Sequence, residues 1–214
     1  HYNEATGDRN NRIYQYTITE LGIELKSQTS DINNRYYWSN LFYHSNDKSQ
    51  FLVIDNNDRD YTVFSINAHT KELEVTHTAN FVRNVKFAVL DSTNELLTLV
   101  YDYDSYNTDN NCVESYHLGE SNGTTLIDSI TCDNASYPGQ AYNFYYNNES
   151  KHLLVQSNSE FSIVNIEDSG TLDILFKNTF TDALGSNCNN STFKYRALTC
   201  QNSSVFDVFS YTDA

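Results

Sequence analysis

The chain has 214 residues and a formal net charge of −15, with 17 Tyr, 12 Phe, seven Gly, one Pro and no Met. That negative balance excludes a nucleic-acid or anionic-membrane surface, which needs clustered Lys and Arg. No apolar stretch approaches the ~20 residues of a bilayer-spanning helix, and the wealth of aromatic residues favours strands.

In chain order, the sequence opens on His1 rather than Met, which reads as a processed amino terminus with its signal peptide removed. Two strands come first, RIYQYTIT and GIELKSQ, joined at ELG within residues 12–28. DINNRYYWSN (31–40) reads as an irregular insertion whose Trp38 packs between repeat units. Next, SQFLVIDNNDRDYTVFSIN (49–67) presents two apolar runs split by an acidic turn. FLVID is almost continuously hydrophobic, the pattern of a strand covered on both faces. YTVFSIN alternates, the pattern of a strand with one solvent face.

This arrangement recurs. Phe42, Phe87 and Phe144 each lie in an aromatic-containing strand, about 45 to 57 residues apart, in or near the range of propeller repeats. Each strand is followed by a polar turn (SNDKS, DSTN, NNES) and a dense apolar run (QFLVI, ELLTLVY, HLLVQ). An alternating strand comes next: YTVFSIN, CVESYHLG, EFSIVNI. A fourth closes each unit: ELEVTHT, TTLIDSITC, TLDILFK. The first two strands of the chain match the third and fourth of a unit. Two at the end, TFKYRALTC and SSVFDVFSYT, match the first and second. The expectation is an all-β fold: one domain, 1–214, forming a four-bladed β-propeller of sixteen strands. Its blades span about 40–79, 82–132 and 141–180. A composite blade, 12–28 plus 192–212, closes the ring by pairing the N- and C-terminal half-blades, which removes exposed sheet edges.

SQFLVIDNNDRDYTVFSINAHTKELEV and KHLLVQSNSEFSIVNIEDSGTLDIL resemble the lactonase-type propeller repeat, over roughly 140 residues. The resemblance implies a fold; activity must be argued from a site. Four-bladed hemopexin-type domains are similar in size.

The cysteines are Cys112, Cys132, Cys188 and Cys200, with no CxxC pair that would suggest zinc. A hairpin folded at SNG sets Cys112 opposite Cys132, at a separation that suits a disulfide. Cys188 and Cys200 then pair by exclusion, which requires a bend in the segment between them, STFKYRALT included; otherwise the connectivity differs. N-x-S/T sequons stand at Asn122, Asn134, Asn148, Asn189, Asn190 and Asn202. Together these features point to an oxidising, secretory compartment, hence a secreted, extracellular or lumenal protein.

Catalytic and metal motifs are sparse. DNNDRD (55–60) and DYDSYNTDNN (102–111) contain oxygen ligands that calcium accepts, without the EF-hand pattern. None of His1, His44, His69, His77, His117 and His152 forms an HExxH-type pair; His44 ends an inner strand and could line a channel. No G-x-S-x-G is present. The reading is therefore a non-enzymatic binding, adhesion or assembly module, with no cofactor. Its partner is protein or carbohydrate, or further copies of itself in an extracellular coat or filament. The alternative is a lactonase-like or glycoside-directed hydrolase with its carboxylates at the propeller channel.

Overall fold

The computed structural model describes residues 10–11, 14–28, 32–33, 40–45, 47, 49–56, 59–81, 83–102, 111–119, 124–132, 143–156, 160–179, 190–194, 197–201 and 206–210. They are all-β. β1 (Asn10–Asn11) bridges β4 (Ile32–Asn33), and β2 (Tyr14–Thr19) pairs with β3 (Gly22–Gln28) as a hairpin. Three four-stranded antiparallel sheets follow, each pairing in chain order. The first is β5 (Asn40–His44), β6 (Gln50–Asp55), β7 (Asp60–Ile66) and β8 (Leu73–Asn80). The second is β9 (Val85–Asp91), β10 (Leu96–Tyr101), β11 (Asn111–Leu118) and β12 (Thr124–Thr131). The third is β13 (Asn143–Asn147), β14 (His152–Gln156), β15 (Glu160–Ile166) and β16 (Leu172–Thr179). β17 (Asn190–Lys194), β18 (Ala197–Gln201) and β19 (Phe206–Ser210) form a three-stranded meander.

Burial follows the sequence pattern. The dense second strands are covered on both faces: Leu52, Val53 and Ile54 in β6, all of β10, and Leu153 to Gln156 in β14. Each fully buried Leu or Val there contributes about 1.5–3 kcal/mol. The outer strands β8 and β12 are largely exposed.

The repeat is also visible in the register. Ile18 pairs with Ile23, Ile66 with Leu73, and Ile166 with Leu172. In each ladder one residue of the fourth strand is then passed over, at Lys26, Thr76 and Leu175. A bulge at one shared position gives the three sheets the same local twist. The hairpin β2–β3 therefore has the geometry of third and fourth strands. The turns repeat as well. Asp47 accepts from Ser49 N (3.0 Å), Asp91 from Thr93 N (3.0 Å), and Asn147 from Glu149 N (3.0 Å), the Asx-turn that Asp and Asn favour. Glu95 and Lys151 then take positive φ (53° and 56°), and their carbonyls accept from Leu118 N (2.8 Å) and Ile166 N (3.0 Å).

The C-terminal strands differ from expectation. TFKYRALTC does not run as one strand: Lys194 pairs with Ala197, so the run folds back as β17 and β18. Its KYR centre holds no Gly, Asn or Pro, so nothing in the sequence signals a reversal. Gln201 pairs with Phe206 just as Gln156 pairs with Phe161. By that register β17–β19 correspond to first, second and third strands, not to a first and second alone. Among the described residues β2–β3 and β17–β19 are separate sheets. The described residues do not confirm the expected sealing of half-blades, and their nineteen strands, two of them in a short bridge, differ from the expected sixteen.

The chain divides into two compact units. One comprises His1–Asn84, Leu90–Leu96 and Leu118–Thr125; the other comprises Val85–Val89, Leu97–His117 and Leu126–Ala214. In the first, Phe51 stacks on Phe64 (centroids 5.0 Å), and Ser27 Oγ accepts from Leu73 N (3.2 Å). In the second, Val100, Val113, Leu153, Val155 and Val164 form one apolar cluster, and Phe87 stacks on Phe144 (4.6 Å). There Asp128 Oδ2 accepts from Leu172 N (2.9 Å), the counterpart of the Ser27–Leu73 bond two repeat units on.

Two turn residues stand two positions before a fourth strand with positive φ: Lys71 (60°) and Gly170 (86°). A side chain at such a position costs about 1–2 kcal/mol, partly offset by glycine's freedom in the unfolded chain. Lys71→Gly is expected to stabilise by about 0.5 kcal/mol, and Gly170→Ala to destabilise by about 1 kcal/mol, in urea unfolding.

Candidate functional site

The second unit holds a buried polar network at one end of the second sheet. β10 ends on Tyr101, fully buried; β11 opens with Asn111 and carries Glu114 and Tyr116. Tyr101 and Tyr116 hydroxyls lie 3.1 Å apart. Tyr116 donates to Glu114 Oε2, and Asn111 Nδ2 donates to Glu114 Oε1 (3.1 Å). Burial drives the Tyr101 phenol far above its ordinary pKa, and the neighbouring Tyr116 and Glu114 push the same way. The disulfide Cys112–Cys132 (Cα–Cα 5.5 Å) ties β11 to the residue following β12. Lys86 meets Asp102 at 3.7 Å. Chemically this is a carboxylate fixed by amide and phenol donors, an anchor for the flanking backbone.

The first unit has two features of its own. Asp47, exposed on the β5–β6 turn, accepts from Ser45 Oγ (2.6 Å), Ser49 N and Ser92 Oγ (2.7 Å). These donors, Ser45 foremost, hold its carboxyl well below the usual range. Ser92 follows β9, so this bond joins equivalent turns of successive sheets. Tyr61 and His77, on β7 and β8, are both buried and stack at 5.7 Å. Burial pushes the Tyr61 phenol up to about 12, and its buried hydroxyl makes no hydrogen bond. Burial lowers the His77 pKa, opposed by a hydrogen bond to the Gly119 backbone.

Of the sequons, Asn148 is exposed on the β13–β14 turn, and Asn190 opens β17 opposite Gln201. Asn122, Asn134, Asn189 and Asn202 lie outside the described residues, as do Cys188, Trp38 and His1. Cys200 sits on β18 opposite Ser191 and Asp207. The central parts of both acidic segments, 57–58 and 103–110, are likewise outside. Among the described residues no three His, Cys, Asp or Glu side chains gather as a metal-ligand set. His44 Nδ1 lies 3.0 Å from the Ser45 carbonyl. Sequence reasoning missed the Glu114 network and the Tyr61–His77 stack. The available signal was a Glu inside the otherwise alternating CVESYHL, on a face where its neighbours are buried.

No protein-family model matches the chain, and no curated protein matches it by sequence. Solved structures do match. A candidate 6-phosphogluconolactonase from Bacteroides uniformis superposes with a TM-score of 0.57 at 11% identity, covering 92% of this chain and 60% of that one. A second, from Bacteroides fragilis, gives 0.56 at 14%, covering 94% and 61%. Sqt1 of Saccharomyces cerevisiae gives 0.55 at 13%, covering 92% and 53%. The likeness is a propeller fold of the lactonase type. At these identities it speaks to fold alone. The chain spans less than two thirds of the length of each of these proteins.

His77 predicts a pH dependence. Its folded pKa is lowered, so the unfolded chain takes up a proton first as pH falls through about 6.5. Stability is full above that range and declines below it. His77→Phe keeps the stack on Tyr61, and its urea midpoint is expected to fall less between pH 7.5 and 5.5. Glu114→Leu removes the acceptor of two donors, Asn111 and Tyr116, from a buried site and is expected to cost about 1–3 kcal/mol in the same measurement.

Proposed function

We propose that this chain is a secreted or cell-surface, N-glycosylated propeller-type module that binds or assembles with protein partners. The observation that carries the reading is the chemistry of the outer strands. Ile23 and Leu25 on β3, Val75 on β8, Leu126 on β12, and Ile174, Leu175 and Phe176 on β16 are all substantially exposed. Outer strands facing only water would carry polar residues there; apolar side chains recurring at a sheet rim mark a contact surface. The Cys112–Cys132 bridge supports an oxidising compartment, and the exposed turn at Asn148 has room for a glycan.

A second reading, a lactonase-like or glycoside-directed hydrolase, would have Glu114 as its candidate carboxylate, although that side chain is buried and its oxygens already accept from Asn111 and Tyr116. The two are separable. Chain from a secreting host is expected to lose mass on glycan removal, with Asn148→Gln accounting for one glycan; an unglycosylated, fully reduced chain refutes the compartment. Crosslinking in the native source is expected to place partner peptides on β3, β8, β12 or β16. Hydrolysis of a lactone or glycoside by the wild type, abolished in Glu114→Gln, establishes the hydrolase instead.

A further inference from the structure

One hydroxyl on the β13–β14 turn is buried without a partner. Asn147 Oδ1 accepts from Glu149 N (3.0 Å) and from Ser150 N (3.5 Å), which wraps the chain round the turn. The Ser150 hydroxyl is enclosed there and makes no hydrogen bond. A buried polar atom left in this way costs stability, so it calls for a reason other than packing. The equivalent turn of the second sheet shows what the fold itself favours. Asp91 accepts from Thr93 N (3.0 Å) and Asn94 N (3.2 Å), and Asn94, in the place of Ser150, returns its side-chain amide to Asp91 Oδ2 (3.0 Å).

The sequon supplies the reason. Ser150 is the hydroxyl residue of Asn148-Glu149-Ser150. An N-x-S/T acceptor needs that hydroxyl as well as its Asn amide, so a transferase must reach both side chains. An extended chain sets residues i and i+2 on one side, within reach of a single enzyme site. The closed turn separates them: Asn148 is exposed and the Ser150 hydroxyl is not. What fastens the turn comes later in the chain. Lys151, at φ 56°, gives its carbonyl to Ile166 N (3.0 Å) and its ammonium to Asp168. Ile166 ends β15, and Asp168 lies in the turn after it. During synthesis the sequon is therefore made before the groups that fasten it.

We propose that the Ser150 hydroxyl serves glycan transfer to Asn148 rather than the fold, and that the transfer precedes closure of the β13–β14 turn. The donor is a lipid-pyrophosphate-linked oligosaccharide. Asn148 Nδ2 bonds to the sugar C1, and the C1–O bond to the pyrophosphate breaks. The lipid pyrophosphate leaves with the electron pair, and the displaced amide proton is released to water. The glycan then stands on an exposed turn residue and leaves the ladder undisturbed. This inference rests on the N-glycosylation reading above and adds its order of events.

Full chain from a host that does not N-glycosylate tests it twice. First, two forms meet detergent-solubilised oligosaccharyltransferase and the lipid-linked donor: the folded chain with Cys112–Cys132 oxidised, and the reduced, carboxamidomethylated chain, shown by circular dichroism to have lost its strands. Peptide mass spectrometry reads Asn148. The unfolded form is expected to be modified at least about ten-fold faster, because the folded turn must open first. Equal rates overturn the inference and leave the glycosylation reading standing. If neither form is modified, glycosylation at Asn148 is refuted and the inference falls with it. Second, Ser150→Ala and wild type, both free of glycan, are unfolded in urea. The variant is expected to match or exceed the wild-type midpoint, and to take no glycan at Asn148 in either form. A lower midpoint overturns the inference, because the hydroxyl then serves the fold.

Discussion

The structure depends on one constraint: the second strand of each sheet is too apolar to face water on either side. QFLVID, LLTLVY and HLLVQ must each be covered above and below. A lone four-stranded sheet cannot provide that; stacked sheets can. Apolar strands in the middle of each sheet therefore select the face-to-face stacking seen within each unit. The polar bonds between successive outer strands, Ser27 to Leu73 and Asp128 to Leu172, fix how one sheet sits on the next. Hydrophobic area supplies the energy. The hydrogen bonds supply the alignment.

Much of this was legible in the sequence, because the two signals involved are local. Continuous and alternating apolar runs distinguish second strands from third, and Asx residues mark the turns before the second strands. The Cys112–Cys132 hairpin follows from the same alternation. What was not legible depends on tertiary placement. KYR at 194–196 carries no turn residue, yet Lys194 pairs with Ala197, which changes the count of terminal strands and with it the closure. Glu114 becomes a buried carboxylate only because Tyr101, from another strand, comes beside its partner Tyr116. The polarity of the hairpin was hidden in plain view: YQYTIT alternates cleanly, but alternation does not tell which face the rest of the molecule will cover.

Binding and hydrolysis make different demands on this scaffold. A hydrolase needs carboxylates aimed into open space. Glu114 is instead enclosed by an amide and a phenol. A binding module needs surface that water does not favour. Ile18, Ile23, Ile174 and Phe176 provide it, on strands held rigid by the ladders behind them. Exposed apolar side chains on a well-paired strand are already ordered, so they give up little conformational freedom when covered.

The common position of the bulge at Lys26, Thr76 and Leu175 has an evolutionary consequence. Sheets with the same register and twist are interchangeable bricks. Duplicating the coding segment for one unit, cut at a linker between a fourth strand and the next first strand, adds a sheet that already fits its neighbours. Chains with more or fewer sheets of this kind are then reachable by single recombination events, without the need to re-evolve a core.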